Sequence, residues 1–376
     1  MSALKKDNKL RILHVIAGMN RGGAETFVMN VFRTIDRNKF QFYFLCFSNK
    51  HFDYEDEIKQ LGGEIIRIPD VKEVGIVSHI KAIKSVIKDN EINIVHAHTY
   101  YNSVFSLIAA KKAGVSTRIV HSHSTTSEVS PSLVKKIYFA LSKFAIRHYA
   151  TKRIACAKEA GYALFGRDNN FIVINNGIDL PRFSYSSAVR KKVRAKLNIP
   201  QNATVLLNVA RFYEVKNHSF IIDIFSEYHK NYPNSYLILV GDGPLRSTIK
   251  NKVSRLGLSQ YVIFTGVIAD TEKMYSAADV FVMPSLFEGL PVVLIEAQAN
   301  KLPCVISSAI DHDVKLSAEV AFLDLSLEAA HWSDEISRIM QGGRPKKISS
   351  ELCNQYDIRH ITSRLAKIYN KETLDE

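Results

Sequence analysis

Cysteine and long apolar runs are scarce in this chain of 376 residues, and each scarcity excludes a class of protein. Cys46, Cys156, Cys304 and Cys353 lie far apart with no paired spacing. This argues against a disulfide framework or a zinc ribbon and fits a reducing cytoplasm. No apolar run approaches the roughly 20 residues that a membrane-spanning helix needs. The apolar stretch after the basic start is too short and interrupted to predict a signal peptide.

Acidic residues are also outnumbered, above all in the first half. The formal net charge is +13, and residues 1–180 carry 26 basic side chains against 16 acidic ones. No helix-turn-helix, RNA-binding or zinc-finger signature accompanies this charge, so nucleic acid is not the expected partner. An anionic membrane surface is preferred, because it attracts basic segments by about 1 kcal/mol per Lys or Arg.

What the chain does contain is an alternation of short β-branched runs with helical patterns. It fills residues 10–180 and resumes in runs at 205–209, 236–240, 262–265, 280–283 and 304–307. Such alternation predicts βαβ units and parallel sheets covered on both faces. The length favours two domains, which we predict over residues 1–180 and 181–357. A hinge is expected within 178–202, which carries two prolines and a basic helical stretch.

The most informative segment runs from Phe287 to Ala297 and contains Glu288 and Glu296. It follows a buried strand pattern and enters a helical pattern opened by Pro291. This order puts one carboxylate and free backbone N–H groups at a positively polarised helix start, with the second carboxylate one to two turns along. Such a site could bind sugar hydroxyls and a phosphate together. The alternative is two solvated glutamates.

Two cations and two glycines follow other strand patterns. Arg211 and Lys216 come after the run at 205–209, at the edge where open α/β sheets bind ligands. They could neutralise a diphosphate, or they could be solvated surface cations. Gly22 and Gly23 follow the first run and could let backbone N–H groups approach an anion, or form only a tight strand-to-helix turn.

Two H-x-H pairs, His96/His98 and His121/His123, end apolar runs of the first half. Alternation puts both rings of a pair on one face of its strand, a geometry that can ligate a metal. The alternative is hydrogen-bonded histidines at strand ends. A metal-dependent hydrolase built on these pairs is therefore a rival function. We interpret Asp311-His312-Asp313 as a polar loop.

A helical pattern over 131–149 carries an apolar stripe with basic flanks, and Ser130 is expected to cap it. The stripe comprises Leu133, Ile137, Leu141 and Phe144. Such a helix can lie at an anionic membrane surface, which predicts peripheral contact through residues 131–153. The alternative is a core-facing helix whose charges are solvated.

Several of these segments together carry a family resemblance. Ser285–Ala297, read with 240–245 and 208–218, resembles the donor half of retaining glycosyltransferases of family 4, which have the GT-B fold. Residues 21–25 and 175–179 resemble the acceptor half. The resemblance is strongest to enzymes of bacterial capsule and exopolysaccharide assembly. It implies two Rossmann-like parallel-sheet domains facing each other across a cleft, with the last helix, within 358–376, returning to the first domain.

The resemblance also implies roles for individual residues. Arg211 and Lys216 would contact the donor's phosphates, and they count with Glu288 and His123 as the catalytic residues. Glu288 would hold the transferred sugar, Glu296 the ribose, and His123 would lie beside the transferred sugar. The further donor-binding residues would be Gly22, Gly23, Gly241, Gly243, Gly289 and Leu290, and the acceptor-side or sugar-side candidates His98 and Asn176.

The implied reaction moves a sugar from a nucleotide-diphosphate sugar, with UDP expected, to a hydroxyl of a lipid-linked saccharide with retention. We expect no metal and no cofactor beyond the donor, because cations and helix N–H groups would do the metal's electrostatic work. No enzymic nucleophile is evident, so front-face displacement is expected. The expected place is the cytoplasmic face of the membrane. A non-catalytic GT-B scaffold subunit is a second rival.

Three positions depart from the family pattern. Ala210 and Asn217 replace glycines beside the Arg211 motif, and Asn tolerates a positive φ. Lys301 replaces the glycine that ends the helix after Glu296. We therefore expect the left-handed cap of that helix at Asn300, or no such cap.

Overall fold

The chain folds into two compact units in a computed structural model that describes residues 9–124, 132–167, 170–288 and 290–373. Unit 1 comprises Met1–Ile178 and Ile358–Glu376, and unit 2 comprises Asp179–Asp357. The first boundary therefore falls two residues before the expected end of the first domain at 180. The predicted parallel α/β architecture is confirmed in both units.

Unit 1 is built on a seven-stranded parallel sheet with the order β3-β2-β1-β4-β5-β6-β7. Its central strands are buried, as strands covered by helices on both faces must be. The order in which strands are added to the sheet reverses between β1 and β4. Open α/β sheets bind ligands at such switch points. The strands are β1 Leu10–Val15, β2 Phe40–Cys46, β3 Glu64–Arg67, β4 Ile94–Ala97, β5 Thr117–Ser122, β6 Lys152–Ala155 and β7 Ile172–Val173.

Within the described residues, six helices connect these strands. The longest, α3, contains Gly75 at φ 76°, where the helix is kinked. The cap of α5 is Ser132, whose side chain accepts from the Lys135 N–H. Ser130 and Pro131 lie outside the described residues, and the cap expected at Ser130 is two residues too early. The helices are α1 Gly23–Thr34, α2 Glu55–Gln60, α3 Val71–Asp89, α4 Ser103–Ala113, α5 Leu133–Tyr149 and α6 Lys158–Phe165.

Unit 2 has a six-stranded parallel sheet with the order β10-β9-β8-β11-β12-β13. Its switch point lies between β8 and β11. The sequence pattern predicted the first five strands but missed the short, partly exposed β13. The strands are β8 Thr204–Val209, β9 Ser235–Val240, β10 Val262–Gly266, β11 Val280–Met283, β12 Cys304–Ser307 and β13 Val320–Leu323.

Eight helices of the described chain belong to unit 2, and two of them lie in the segment expected to hold the hinge. The boundary between the two units, at Ile178 and Asp179, lies in that segment. The rest of the segment packs in unit 2, where Arg194 is fully buried and donates to Asp279 and to the Ala277 carbonyl. The helices are α7 Leu180–Phe183, α8 Ser187–Lys196, α9 His218–Asn231, α10 Arg246–Arg255, α11 Thr271–Ala277, α12 Val292–Ala299, α13 Ala329–Gln341 and α14 Ser350–Tyr356.

The last helix, α15 at Ile358–Tyr369, packs in unit 1. Its buried Ile361 and Leu365 join the core formed by α1 and the sheet. The Ile358 N–H donates to the Ile178 carbonyl, so the chain's return is held by backbone as well as by apolar packing. This helix also brings the Tyr369 hydroxyl under the middle of the unit 1 sheet.

Candidate active site

Two loops meet at the switch point of unit 2, one after β8 and one after β11. The Lys216 ammonium donates to the Glu288 carboxylate, joining residues that are 72 positions apart. Backbone also ties the loops, since the Leu286 N–H donates to the Val215 carbonyl at 2.8 Å. The Asn217 side chain donates to the Pro284 carbonyl at 3.1 Å. The predicted cation and the predicted carboxylate are therefore brought into direct contact.

The Lys216–Glu288 pair is largely but not fully enclosed. The two side chains are 21% and 13% exposed. The backbone of Glu288 forms a parallel bridge with Ile310, which fixes the base of the carboxylate against the neighbouring chain. An ion pair at this depth feels weak solvent screening yet can still be reached by a ligand. Gly289, the next candidate, lies outside the described residues, and Leu290 is partly exposed just before α12.

Arg211 leaves the same edge of the sheet but stays exposed. Its guanidinium lies 5.3 Å from the centre of the Tyr213 ring, and within the described residues it forms no ion pair with a carboxylate. Asn217 adopts φ 53° at the start of α9. The expectation that Asn would tolerate a positive φ there is confirmed.

Gly241 and Gly243 bring the loop after β9 against the backbone after β8. Their φ angles are 131° and 156°, which L side chains rarely adopt. A Cβ on Gly243 would lie 2.8 Å from the Phe212 nitrogen and oxygen, and one on Gly241 would collide with the Ala210 carbonyl. Only glycine fits at these two positions. The loop therefore presents backbone without side chains beside Arg211.

Glu296 lies on α12, where the Tyr275 hydroxyl of α11 donates to its Oε2 at 2.7 Å. Although part of the side chain is exposed, burial of the carboxyl raises its pKa to about 7, against the opposing effect of the Tyr275 hydrogen bond. One carboxylate oxygen therefore has a fixed partner and the other can still accept. Sequence reasoning missed Tyr275, which no local pattern connects to Glu296.

The end of α12 differs from the expectation. Asn300 keeps right-handed helical geometry at φ −77°, and Lys301 itself takes the left-handed position at φ 60°. The fully buried Asn300 amide donates to the Phe183 carbonyl at 2.7 Å, and this contact holds Asn300 in its helical position. The left-handed cap is thus retained, but at a lysine.

In unit 1, Gly22 caps α1 and Gly23 begins it. A Cβ on Gly23 would have no atom within 4 Å, so packing does not require a glycine at this position. Asn176 is buried, and its Oδ1 has no hydrogen-bond partner among the described residues. The Asp311 side chain accepts from the Asp313 N–H at the start of a short 3-10 turn, which agrees with a polar loop.

Five histidines gather at the switch point of unit 1, and we call them the histidine cluster: His14, His96, His98, His121 and His123. His14 Nδ1 lies 3.1 Å from His98 Nε2, and His98 Nδ1 lies 2.9 Å from His123 Nε2. His96 Nδ1 lies 2.9 Å from the Tyr369 hydroxyl. The H-x-H spacing predicted four of these rings but missed His14, which the neighbouring strand β1 contributes.

Burial keeps the cluster neutral. The pKa values of His14, His96, His98 and His121 lie well below their ordinary range, because desolvation disfavours the charged ring. Burial lowers the pKa of His123 to about 4, although the nearby Asn176 side chain opposes the shift. His123 is the least buried ring of the five.

Helix α5 exposes its apolar stripe. Phe144 is 73% exposed and Leu133 also 73%, while Ile137 and Leu141 are more than half exposed. The alternative that this stripe faces the core is therefore wrong. Among the described residues, none of the helices has the length and apolar character to cross a membrane.

Comparison with known proteins agrees with this arrangement. Residues 21–182 match the family model of Glycosyltransferase Family 4, and residues 189–314 match that of Glycosyl transferases group 1. EpsF of Bacillus subtilis (strain 168), provisionally named a glycosyltransferase, is 37% identical over 96% of this chain and 97% of its own. CapH of Staphylococcus aureus, a capsular polysaccharide biosynthesis glycosyltransferase, is 26% identical over 97% and 100%.

Two further proteins are similar over most of the chain. The UDP-Gal:alpha-D-GlcNAc-diphosphoundecaprenol alpha-1,3-galactosyltransferase of Escherichia coli is 28% identical over 80% of each chain. The crystal structure of Anabaena HepE with UDP-glucose has a TM-score of 0.77 at 19% identity, covering 96% and 99% of the two chains. The similarity to HepE concerns the fold alone. The chain therefore belongs to the glycosyltransferases of family 4 and has the GT-B fold.

Proposed function

We propose that this enzyme transfers a sugar from UDP-sugar to a hydroxyl of a lipid-linked saccharide, with retention, in bacterial surface polysaccharide synthesis. The observation that carries the proposal is the Lys216–Glu288 pair at the switch point of unit 2. It presents a cation for phosphate and a carboxylate for sugar hydroxyls within one contact. Ligands of open α/β sheets bind at such points.

The cations suit a diphosphate. Arg211 offers a planar fork that no carboxylate among the described residues occupies, and Lys216 acts as a compact point charge. The backbone beside Gly241 and Gly243 lacks side chains, so its amides can approach an anion closely. Two cations and oriented N–H groups could stabilise the leaving diphosphate without a metal.

The two glutamates suit two sets of hydroxyls. Glu296 has one oxygen held by Tyr275 and the other available, which fits the vicinal hydroxyls of a ribose. Glu288 lies next to Lys216, where the diphosphate would end and the transferred sugar begin. We assign Glu296 to the nucleotide and Glu288 to the sugar.

Relatives support UDP and a lipid-linked acceptor. HepE is described in complex with UDP-glucose, and the Escherichia coli relative is named for UDP-Gal and a diphosphoundecaprenol-linked acceptor. CapH is named for capsular polysaccharide biosynthesis. These names suggest the substrate classes that we propose for this chain.

Unit 1 would supply the sugar-side groups. Neutral His123 can donate one N–H or accept at its other nitrogen, and its neighbour Asn176 has a free carbonyl oxygen. With no enzymic nucleophile assigned, we infer front-face displacement in which the leaving phosphate oxygen takes the acceptor's proton. Retention at the anomeric carbon follows from that route.

Helix α5 would hold the enzyme at the cytoplasmic face of the membrane. Its exposed Leu141 and Phe144 can enter the interface while Lys136 and Lys143 meet anionic headgroups. This placement would bring unit 1 to the surface that carries a lipid-linked acceptor.

A donor screen followed by turnover tests the proposal. Thermal shift with nucleotides and nucleotide sugars should show stabilisation by UDP and one UDP-sugar, because a ligand that binds only the folded state raises its stability. Turnover on an undecaprenyl diphosphate saccharide should persist in EDTA, and NMR of the product should show the donor's anomeric configuration.

The rivals predict other outcomes. UDP binding without turnover on any lipid-linked saccharide would favour the scaffold subunit. Hydrolytic activity that EDTA abolishes and zinc restores would favour a hydrolase built on the H-x-H pairs.

A further inference from the structure

The histidine cluster contains nitrogens that the fold leaves without partners. His121 is fully buried, yet neither of its ring nitrogens has a hydrogen-bond partner among the described residues. His123 Nδ1 is also buried without a hydrogen-bond partner among the described residues. Buried polar groups are normally hydrogen-bonded, so such nitrogens call for an explanation by an ion or another ligand.

Three of the rings converge. His98, His121 and His123 each offer one nitrogen, and these three atoms lie within 4.8 Å of one another. Zinc binds imidazole nitrogens at about 2.0–2.1 Å in a tetrahedron, which places the nitrogens about 3.3 Å apart. The 2.9 Å between His98 Nδ1 and His123 Nε2 needs to open only slightly.

The outer contacts of these rings also suit a metal. If His98 coordinates through Nδ1, its Nε2–H donates to His14 Nδ1 at 3.1 Å. If His123 coordinates through Nε2, its Nδ1–H faces the side chain of Asn176, whose Oδ1 has no partner among the described residues. Metal-binding histidines almost always donate their other N–H to such an acceptor, which fixes the tautomer. All three rings would stay neutral, and no proton would be released.

We propose that His98, His121 and His123 form a binding site for one transition-metal cation that prefers imidazole ligands, with Zn²⁺ as the type ion. A second group, His14, His96 and His98, has the same closeness but shares His98, so the cluster holds one ion. The first group is the site because His123 is less buried and gives a route of entry, whereas the second is wholly buried. Carboxylates are absent from both groups, which disfavours Mg²⁺ and Ca²⁺.

The site has a consequence that rests on the proposed function. An ion on His123 Nε2 would bind the ring that we assign to the transferred sugar and would leave its Nδ1–H directed to Asn176. Zn²⁺ would then inhibit an enzyme that needs no metal for turnover. Binding of the ion, in contrast, does not depend on the function and can be measured without substrates.

The binding experiment uses the untagged full chain, freed of metal, with Zn²⁺ followed by calorimetry and Co²⁺ by its visible absorption. We expect one equivalent to bind, with the intense absorption of tetrahedral cobalt. His121→Phe should weaken Zn²⁺ binding by at least about 100-fold, since even outer-contact changes cost 10–100-fold. His96→Phe is the matched control, because its ring is equally buried and stacks on His121 at 5.5 Å, and it should bind Zn²⁺ like the original protein.

Two further measurements keep the proposal testable if His121→Phe does not fold. His123→Leu changes the least buried ligand and should lose the ion as well. X-ray absorption of the zinc form should show three imidazoles on the metal. Equal loss of zinc in His121→Phe and His96→Phe, or no stoichiometric binding by the unchanged chain, would overturn the site. If Zn²⁺ binds as expected but does not inhibit turnover, the site stands and the role assigned to His123 is wrong.

Discussion

Because Lys216 and Glu288 are in contact, we expect substitution of either residue to change the effect of the other on UDP binding. In the free enzyme each charge is partly neutralised by the other, and both side chains are more than three-quarters enclosed. Lys216→Ala removes a cation from the diphosphate and also leaves the Glu288 carboxylate unpaired beside it. Glu288→Gln does the opposite, since it releases Lys216 and removes a negative charge.

The magnitudes follow from these two effects. A charge-assisted hydrogen bond contributes about 1.5–3 kcal/mol, so Lys216→Ala should lose at least that much UDP affinity. A carboxylate and a phosphate about 8 Å apart repel by about 2 kcal/mol at an effective dielectric constant of about 20. The double variant, which lacks both charges, should therefore recover about 1–2 kcal/mol of the loss, or about tenfold in affinity.

Calorimetric titration with UDP and single-turnover kinetics with the UDP-sugar separate binding from chemistry. Glu288→Gln should bind UDP as well as the original enzyme, or up to about tenfold more tightly. The turnover of this variant should fall by about 100-fold, because the hydrogen bonds of the Glu288 carboxylate to the sugar strengthen in the transition state. A matched control is the Lys252–Asp223 pair of the same unit, with 2.6 Å between Nζ and Oδ2. Lys252→Ala should leave both quantities unchanged.

Two results would refute the reasoning. The first is a Glu288→Gln variant that loses UDP affinity as severely as Lys216→Ala, since Glu288 would then hold the nucleotide. The second is a double variant that binds UDP no better than Lys216→Ala, since the carboxylate would then lie too far from the phosphates to repel them.

Four other outcomes are expected. UDP should bind about tenfold more weakly at pH 6 than at pH 8. Glu296, with its pKa raised to about 7, is mostly protonated at pH 6, and the ribose hydroxyls are better hydrogen-bonded by its ionised form. In Glu296→Gln, the only pH dependence of UDP affinity that remains should come from the phosphate of UDP. Gly243→Ala should lower the free energy of unfolding by about 2 kcal/mol or more in urea titration, while Gly23→Ala, with no atom within 4 Å, should not lower it. Changing Leu141 and Phe144 to Ser should release the enzyme from anionic liposomes in sedimentation, and liposome binding unaffected by salt and by these changes would contradict the role of α5. Lys301→Gly should raise the free energy of unfolding by about 0.5–1 kcal/mol, since φ 60° suits glycine; a decrease would mean that the lysine's bond to the Lys346 carbonyl matters more.

Much of the fold could be predicted because its signals are local. The runs at β11 and β12 were predicted to the residue, since a buried parallel strand is a short apolar segment bounded by polar ones. β13 has the same length as β11 and β12, but it was missed because it is partly exposed at the sheet edge. Residues 178–202 contain the boundary between the units, but their composition did not show that Arg194 would be buried in unit 2.

The sequence by itself determined which chemical groups stand at the carboxyl ends of the strands: the cations after β8, the glutamates around β11 and α12, and the H-x-H pairs. It did not determine their partners. Lys216 and Glu288, His14 and His98, and Tyr275 and Glu296 meet only because strand order and helix packing bring distant segments together. The same limit applies to α5, because the sequence pattern of an apolar stripe with basic flanks is the same whether the helix packs on a core or lies on a membrane. The tertiary structure decided that this stripe is exposed, because no other element of the described chain covers it.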